Sequence, residues 1–241
     1  MLGPDEPASR DADAGAAAAG AWADGFGVVA PDVVRYADVL RSVPDPVLLA
    51  MRNLADTESV ELLDPDAATL IALLARSHRP RQVLEVGTGI GYLTLHLARA
   101  VPGDCVLTSI DPDPMRQAQA HAFLERDELT RCATELRLGD PVRVLREGAA
   151  HASWDMVVLG SSNVQRLDLL DIVAPRMSPD ALLVVPWALR GGRVANSEAA
   201  WSGDELVEQQ RLLNRYIATD PRFADVVLLP VGDGVLLARR V

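Results

Sequence analysis

Three acids and a set of alternating glycines are the residues here whose types and spacing can do chemistry. Gly87, Gly89 and Gly91 alternate within QVLEVGTGIGYLTLHLA, Gln82–Ala98, with Thr88 between the first two and Glu85 just ahead of them. Glycine supplies the positive φ and the close backbone approach that a tight turn against a ligand needs. A helix starting directly after such a turn offers unpaired N–H groups and the positive end of its dipole. The second acid, Asp111, stands about 20 residues beyond Gly91. At that interval an acid after the next strand accepts both hydroxyls of a ribose. The third, Asp140, follows Gly139 and could meet an adenine edge with its carboxylate or through the neighbouring backbone. Asp111 and Asp140 each also fit a plain helix N-cap. Three in register at consecutive strand ends point to a nucleoside-type ligand.

The elements that must position these residues are those of an α/β sheet. Val83, Leu84 and Val86 read as a buried strand, and Leu93, Leu95, Leu97 and Ala98 as part of the following helix. Strands are predicted over 82–86, 105–110, 134–138, 154–159 and 181–186, with helices over 91–101, 113–126, 141–147 and 164–176 between them. A longer helix is predicted over 203–218 and strands over 224–230 and 235–240. Such alternation predicts a doubly wound parallel sheet covered on both faces. Gly232-Asp233-Gly234 joins the last two strands into a hairpin, so one of them runs antiparallel to the rest. Upstream, helices are predicted over 31–43, 47–54 and 63–77; they would cap a sheet face, cover a cleft or make a dimer contact. Residues 1–27, rich in Ala, Gly and Asp, are expected to form a disordered tail. Residues 28–241 are read as one domain, a helical cap over 28–80 and the sheet over 81–241.

The formal net charge of −11 argues against nucleic-acid and anionic-membrane partners, which require basic patches. Cys105 and Cys132 have neither a CxxC partner nor a histidine cluster, so they are expected to be reduced thiols of a cytoplasmic protein. No secretory signal and no apolar run of membrane-spanning length is seen.

The identity of the nucleoside ligand turns on the glycine spacing. GxGxG differs from the dinucleotide fingerprint GxGxxG, whose pyrophosphate sits on the helix N-terminus. S-adenosylmethionine carries an amino acid and a sulfonium in place of phosphate, and Glu85 could orient its amino group directly, or through backbone and water. The terminal hairpin fits the same choice, and a nucleotide-linked dehydrogenase is the remote alternative.

At these residues the chain resembles the class I methyltransferases, and within them the cation-dependent small-molecule O-methyltransferases of the catechol and caffeoyl-CoA type. VLEVGTGIGY resembles the family's first motif, TSIDPD its ribose-binding segment and PRFADVVLLPVGDGVLLARR its closing hairpin; the likeness spans roughly Tyr36–Val241. It implies a seven-stranded Rossmann-like methyltransferase sheet, an S-adenosyl-L-methionine cofactor, methyl transfer to a small-molecule hydroxyl and a homodimer. It places Leu63 against the methionine part of the cofactor. Leu93 stands where the family usually has serine, so that cofactor hydrogen bond falls to the backbone or is lost. The implied cofactor-binding set is Leu63, Glu85, Gly87, Thr88, Gly89, Gly91, Leu93, Asp111, Asp140 and Gly160.

The resemblance also implies a divalent metal, held by Asp-Ala-Asp-Lys after the fourth strand and Asp-Asn after the fifth. Here those motifs fall on Gly160-Ser161-Ser162-Asn163 and Pro186-Trp187. Hard cations need charged oxygen ligands, so no metal site of that type is expected. Ser162, Asn163 and Trp187 are candidates for the acceptor pocket, Trp187 either stacking on an aromatic acceptor or filling the space of the lost metal site. Arg190 and Arg193 are read as bridging to surface acids in preference to holding an anionic substrate. None of His78, His96, His121 and His151 makes a persuasive general base, and no catalytic residue is assigned. The alternative function is a non-catalytic cofactor-binding relative acting as a dimer partner or sensor.

Overall fold

The computed structural model describes residues 31–41, 45–148, 153–160, 166–195 and 204–241. The expected tail over 1–27 lies outside them, as do Ser162, Asn163 and His151. The chain divides into two compact units, Met1–Val43 and Pro44–Val241. In the first, helix α1 (Pro31–Leu40) is followed by Arg41, which pairs with Asp38 at 3.0 Å.

The second unit opens its helices with a repeated local device. An Asp-Pro pair stands at the start of α2 (Pro46–Glu58), α3 (Pro65–His78) and α6 (Pro141–Gly148), and Asp113-Pro114 starts α5 (Pro114–Glu125). Proline pre-sets the φ of the first helical residue, and the aspartate accepts otherwise orphaned N–H groups, worth about 1 kcal/mol per cap. Asp45 takes those of Val47 and Leu48, Asp64 those of Asp66 and Ala67, and Asp113 those of Met115 and Arg116.

The strands are β1 (Gln82–Val86), β2 (Val106–Asp111), β3 (Ala133–Leu138), β4 (Trp154–Leu159), β5 (Met177–Pro186), β6 (Phe223–Leu229) and β7 (Val235–Arg240). The remaining helices are α4 (Tyr92–Ala100), α7 (Arg166–Val173) and α8 (Glu205–Thr219). Strand order is β3-β2-β1-β4-β5-β7-β6. Strands β1 to β5 pair in parallel, and β7 runs antiparallel between β5 and β6, as the short hairpin turn requires. Successive residues of β1 face opposite sides, as strand geometry dictates. Val83 joins a core with Met51, Ile71 and Leu95, whereas Leu84 and Val86 join Leu159, Leu170 and Ile217.

Boundaries differ most from expectation at two places: the helix predicted over 47–54 runs on to Glu58, and the fifth strand starts early. The helix predicted over 164–176 is regular only to Val173; a 3-10 turn, Ala174–Arg176, follows, and β5 begins at Met177 instead of 181. Pro175 cannot donate the N–H that an α-helix would need. The early part of β5 pairs Met177 with Trp154 before a register shift brings Leu182 opposite Met156, with Asp180 at φ 64° in the irregular stretch.

Strand order reverses between β1 and β4. In an open α/β sheet, that switch point leaves a crevice outside the C-terminal strand ends, where ligands bind. Val86 and Leu159 are paired there, so the loops carrying Gly87 and Gly160 leave side by side.

Candidate functional site

The glycines of the β1–α4 turn do different work. Gly87, Gly89 and Gly91 have φ of 99°, 52° and 86°. A Cβ on Gly91 would lie 2.9 Å from the Ala120 Cβ, so this glycine lets the start of α4 approach α5. Gly89 faces open space, and its N–H donates to the Asp111 Oδ2 at 2.8 Å. The other Asp111 oxygen accepts the Asp113 N–H at 2.9 Å, and the side chain is nearly buried. Asp111 thus braces the glycine turn, with lone pairs remaining on both oxygens for a further donor. The three loops are stitched by backbone bonds, Gly87 N–H to the Ile110 carbonyl at 2.8 Å and Gly139 N–H to that of Asp111 at 3.0 Å. Asp140 is exposed, and its Oδ1 accepts the Arg143 N–H at 2.8 Å, the geometry of a helix cap.

Glu85 lies beneath the turn with no exposed surface. Its Oε2 accepts the Thr94 hydroxyl at 2.6 Å and the Ser109 hydroxyl at 2.7 Å. The Ser109 hydroxyl is also bonded to that of Thr88 at 2.6 Å. Oε1 is buried without a hydrogen-bond partner among the described residues. Burial pushes this carboxyl up to about 7; the Ser109 and Thr94 hydroxyls pull the other way, and the Asp111 charge adds to the rise.

Above this network lies a small cavity of about 60 Å³, lined by Leu63, Gly87, Thr88, Gly89, Leu93, Gly160 and Trp187 together with Val60, Glu61, Leu62, Ile90 and Tyr92. The structure therefore gathers seven residues singled out in the sequence around one space. Glu85 lies under it, Asp111 reaches it through Gly89, and Gly91 and Asp140, outside its lining, also pack on Ala120 and cap α6. A larger cleft of about 420 Å³ shares Leu63, Tyr92 and Trp187 and adds Arg52, Asp56, Asp64 and Asp233. The hairpin turn is tied to this edge by Leu189 N–H donating to the Asp233 carbonyl at 2.9 Å and Ala188 N–H to that of Gly234 at 3.1 Å. Sequence reasoning missed Arg52, Asp56, Tyr92 and Asp233. Tyr92 carried a signal, directly following the last glycine; Arg52 and Asp56 belong to no motif, and Asp233 read only as a turn residue. A broader groove of about 770 Å³ beside α8 and β6 holds none of the residues around the glycine turn.

The acceptor side differs in kind. Gly160, Pro186 and Trp187 offer no side-chain oxygen, and Trp187, at φ 54°, is half-buried against the core under α2 to α4. Behind Pro186 sits the buried guanidinium of Arg166, which donates to the Pro186 carbonyl at 3.4 Å and to Gln210 Oε1. Burial and the neighbouring Arg190 charge lower its pKa to about 9. Arg193 pairs with Asp204, a bridge to an acid as expected. Among the described residues, no three His, Cys, Asp or Glu side chains gather as a metal site, and no helix is long and apolar enough to cross a membrane. None of the described histidines lines either cavity: His78 bonds the Asp155 carbonyl at 2.9 Å, His121 lies 3.5 Å from Glu125, and His96 packs edge-on to Tyr92, which lines both, with ring centroids 4.9 Å apart.

A glycine turn at the switch point of this sheet, with β7 antiparallel beyond β5, defines a Rossmann-like methyltransferase fold. The O-methyltransferase family model matches residues 48–241, and the chain belongs to that family. A protein of Mycobacteroides abscessus bearing an O-methyltransferase name is 32% identical over 196 residues, spanning 81% of this chain and 89% of the relative. A methyltransferase from Geobacter sulfurreducens superposes with a TM-score of 0.73 at 27% identity, covering 89% of this chain and 100% of that one. An O-methyltransferase from Bacillus cereus, solved in complex with S-adenosylhomocysteine, shares the fold with a TM-score of 0.75 at 20% identity, covering 86% and 96% of the two chains.

Proposed function

We propose that this chain transfers a methyl group from S-adenosylmethionine to a hydroxyl of a small molecule, and does so without the divalent metal that the resemblance implies. The observation that carries the reading is the gathering of Leu63, Gly87, Thr88, Gly89, Leu93, Gly160 and Trp187 around one cavity above Glu85. The orphaned Oε1 of Glu85 suits an ammonium donor, and Gly89, where a Cβ would meet nothing within 4 Å, leaves room for a ligand. In this reading Leu63 and Leu93 pack on the methionine part, Thr88 and the turn N–H groups hold its polar end, and Asp111 meets the ribose. When bound, the cofactor supplies an electrophilic methyl group on a sulfonium.

The residues at the two strand ends do not fit a metal, and the acids of the larger cleft, Asp56, Asp64 and Asp233, gather into no metal site among the described residues. Neither glycine, proline nor tryptophan provides the charged oxygen a hard cation requires, and the Arg166 guanidinium behind Pro186 disfavours a second cation beside it. What the chain supplies instead is position: Trp187 and Tyr92 form an aromatic wall of the 420 Å³ cleft, able to hold a flat acceptor in line with the donor. The reading includes a homodimer, and cytoplasmic placement in keeping with two buried free thiols. Titration calorimetry with S-adenosylmethionine, S-adenosylhomocysteine and NAD tests the cofactor, and a radiolabelled methyl screen over phenols and other small hydroxyl compounds tests turnover. Binding of NAD alone would sink the reading. Sedimentation measures the dimer.

A further inference from the structure

Glu85 is wholly buried, yet none of its partners is a cation. Thr94 on α4 and Ser109 on β2 both donate to Oε2, and Oε1 has no partner among the described residues. Beside it on β4 stands Val158, and above it Thr88. Asp111 is the charged group that acts on it. This arrangement favours the neutral acid while no ligand is present. An ionised Glu85 leaves a carboxylate oxygen buried without a donor, whereas a neutral one can carry its proton on Oε2, where the Thr94 or Ser109 hydroxyl accepts it. The hydroxyls of Ser109 and Thr88 lead from the carboxyl to the cavity wall, a short path for a proton.

We infer that Glu85 is a proton-coupled specificity residue: it releases its proton to solvent when a ligand bearing an ammonium group enters the glycine turn, and rebinds one when that ligand leaves. The inference rests on the methyl-donor reading, because the amino-acid end of that ligand supplies the ammonium group. The carboxylic acid becomes a carboxylate, the ligand's ammonium takes up hydrogen bonding to Oε1, and one proton passes to water. The rise of the Glu85 carboxyl to about 7 sets this exchange within the neutral range. A ligand that binds only the ionised form has its affinity reduced by the fraction ionised, so apparent affinity rises with pH and levels off above about pH 8.

The test is calorimetry of S-adenosylhomocysteine binding between pH 6 and pH 8, in pairs of buffers with different ionisation enthalpies. The expected result is a roughly tenfold gain in affinity over that range, with nearly one proton released at pH 6. The Glu85→Gln variant is expected to lose that pH-dependent part. Methylthioadenosine, which lacks the amino-acid end, is expected to bind the native protein without it, which keeps the test independent of the variant's folding. Native binding that is tight but independent of pH and buffer would overturn the coupling, as would the same slope in Glu85→Gln. Absence of S-adenosylhomocysteine binding at every pH would instead overturn the cofactor reading, and the coupling with it.

Discussion

The two sides of the cleft are built on opposite plans. On the donor side every polar group is also a structural member: Glu85 is bonded to α4 and β2, Asp111 holds Gly89 and Asp113, and Gly91 seats α4 against α5. On the acceptor side the strand ends Gly160, Pro186 and Trp187 bring no acid, the acids of the cleft, Asp56, Asp64 and Asp233, come from other elements, and the nearby buried charge is a guanidinium. The donor side is thus welded into the sheet, whereas the acceptor side is made from loop ends. Substitutions should expose this: donor-side changes cost stability and binding together, and acceptor-side changes alter turnover with the fold intact.

The largest expected effect is at Gly91. Gly91→Ala places a Cβ at φ 86° and 2.9 Å from Ala120 on the neighbouring helix. It should cost about 2–4 kcal/mol, read as a lowered urea midpoint. Unchanged stability would show that α4 and α5 can part freely, and the welded picture would fail. Asp111→Ala comes next. It should weaken S-adenosylhomocysteine binding by roughly 1.5–3 kcal/mol if the ribose takes charge-assisted hydrogen bonds from it. Lost stability with full affinity would reduce Asp111 to a brace for Gly89 and Asp113.

Much of this side was legible because local chemistry and global fold agree. Alternating glycines after a short apolar run need a turn, and Asp-Pro pairs need helix starts, wherever they occur. The closing hairpin followed from Gly232-Asp233-Gly234. The sequence could not distinguish a glycine kept for a ligand from Gly91, kept for Ala120, because that contact is tertiary. Nor could it reveal that Glu85, two residues before the turn, is sealed beneath it by hydroxyls from two other elements. Asp140 shows the reverse limit: an acid at a strand end expected to meet a ligand also caps the next helix, and the sequence does not separate the two uses. The acceptor cleft was the least legible part, since Arg52, Asp56 and Asp233 converge from an upstream helix and the last turn of the sheet.

Glu85→Gln sharpens the comparison through pH. The folded-state carboxyl is raised from 4.5 to about 7, so its contribution to stability is full below about pH 4.5 and is lost as pH rises through 7. Glutamine cannot ionise. The stability of the variant relative to native, without ligand, should therefore shift in the variant's favour by about 1–3 kcal/mol between pH 4.5 and pH 8. Urea midpoints across that range that stay parallel would mean the buried carboxyl does not titrate. A gain in stability at pH 8 with weaker cofactor binding would mark Glu85 as a group held at some expense to the fold for the ligand's sake.

Across the cleft, Trp187→Gly should barely move stability, about 1 kcal/mol or less. The lost packing of a half-buried ring is offset by relief at φ 54°, which glycine adopts freely. Turnover should drop by at least about tenfold if Trp187 aligns the acceptor, one such factor being about 1.4 kcal/mol in the barrier. A full-rate variant would leave Trp187 as filler.

The smallest expected effect is a null, and it separates the two plans most cleanly. Turnover measured with excess EDTA should equal turnover with added Mg²⁺. A divalent ion holding acceptor oxygens would need at least one charged oxygen ligand from the strand ends, and Gly160 and Pro186-Trp187 supply none. Arg166, with its guanidinium on the Pro186 carbonyl, opposes a second positive charge there. Activity lost to EDTA and restored by Mg²⁺ would mean that other groups complete a cation site despite that repulsion. A rate indifferent to both would leave alignment by the aromatic wall as the acceptor side's contribution, and then the acceptor must bring its own nucleophilicity, favouring acidic phenols over aliphatic alcohols in the same screen.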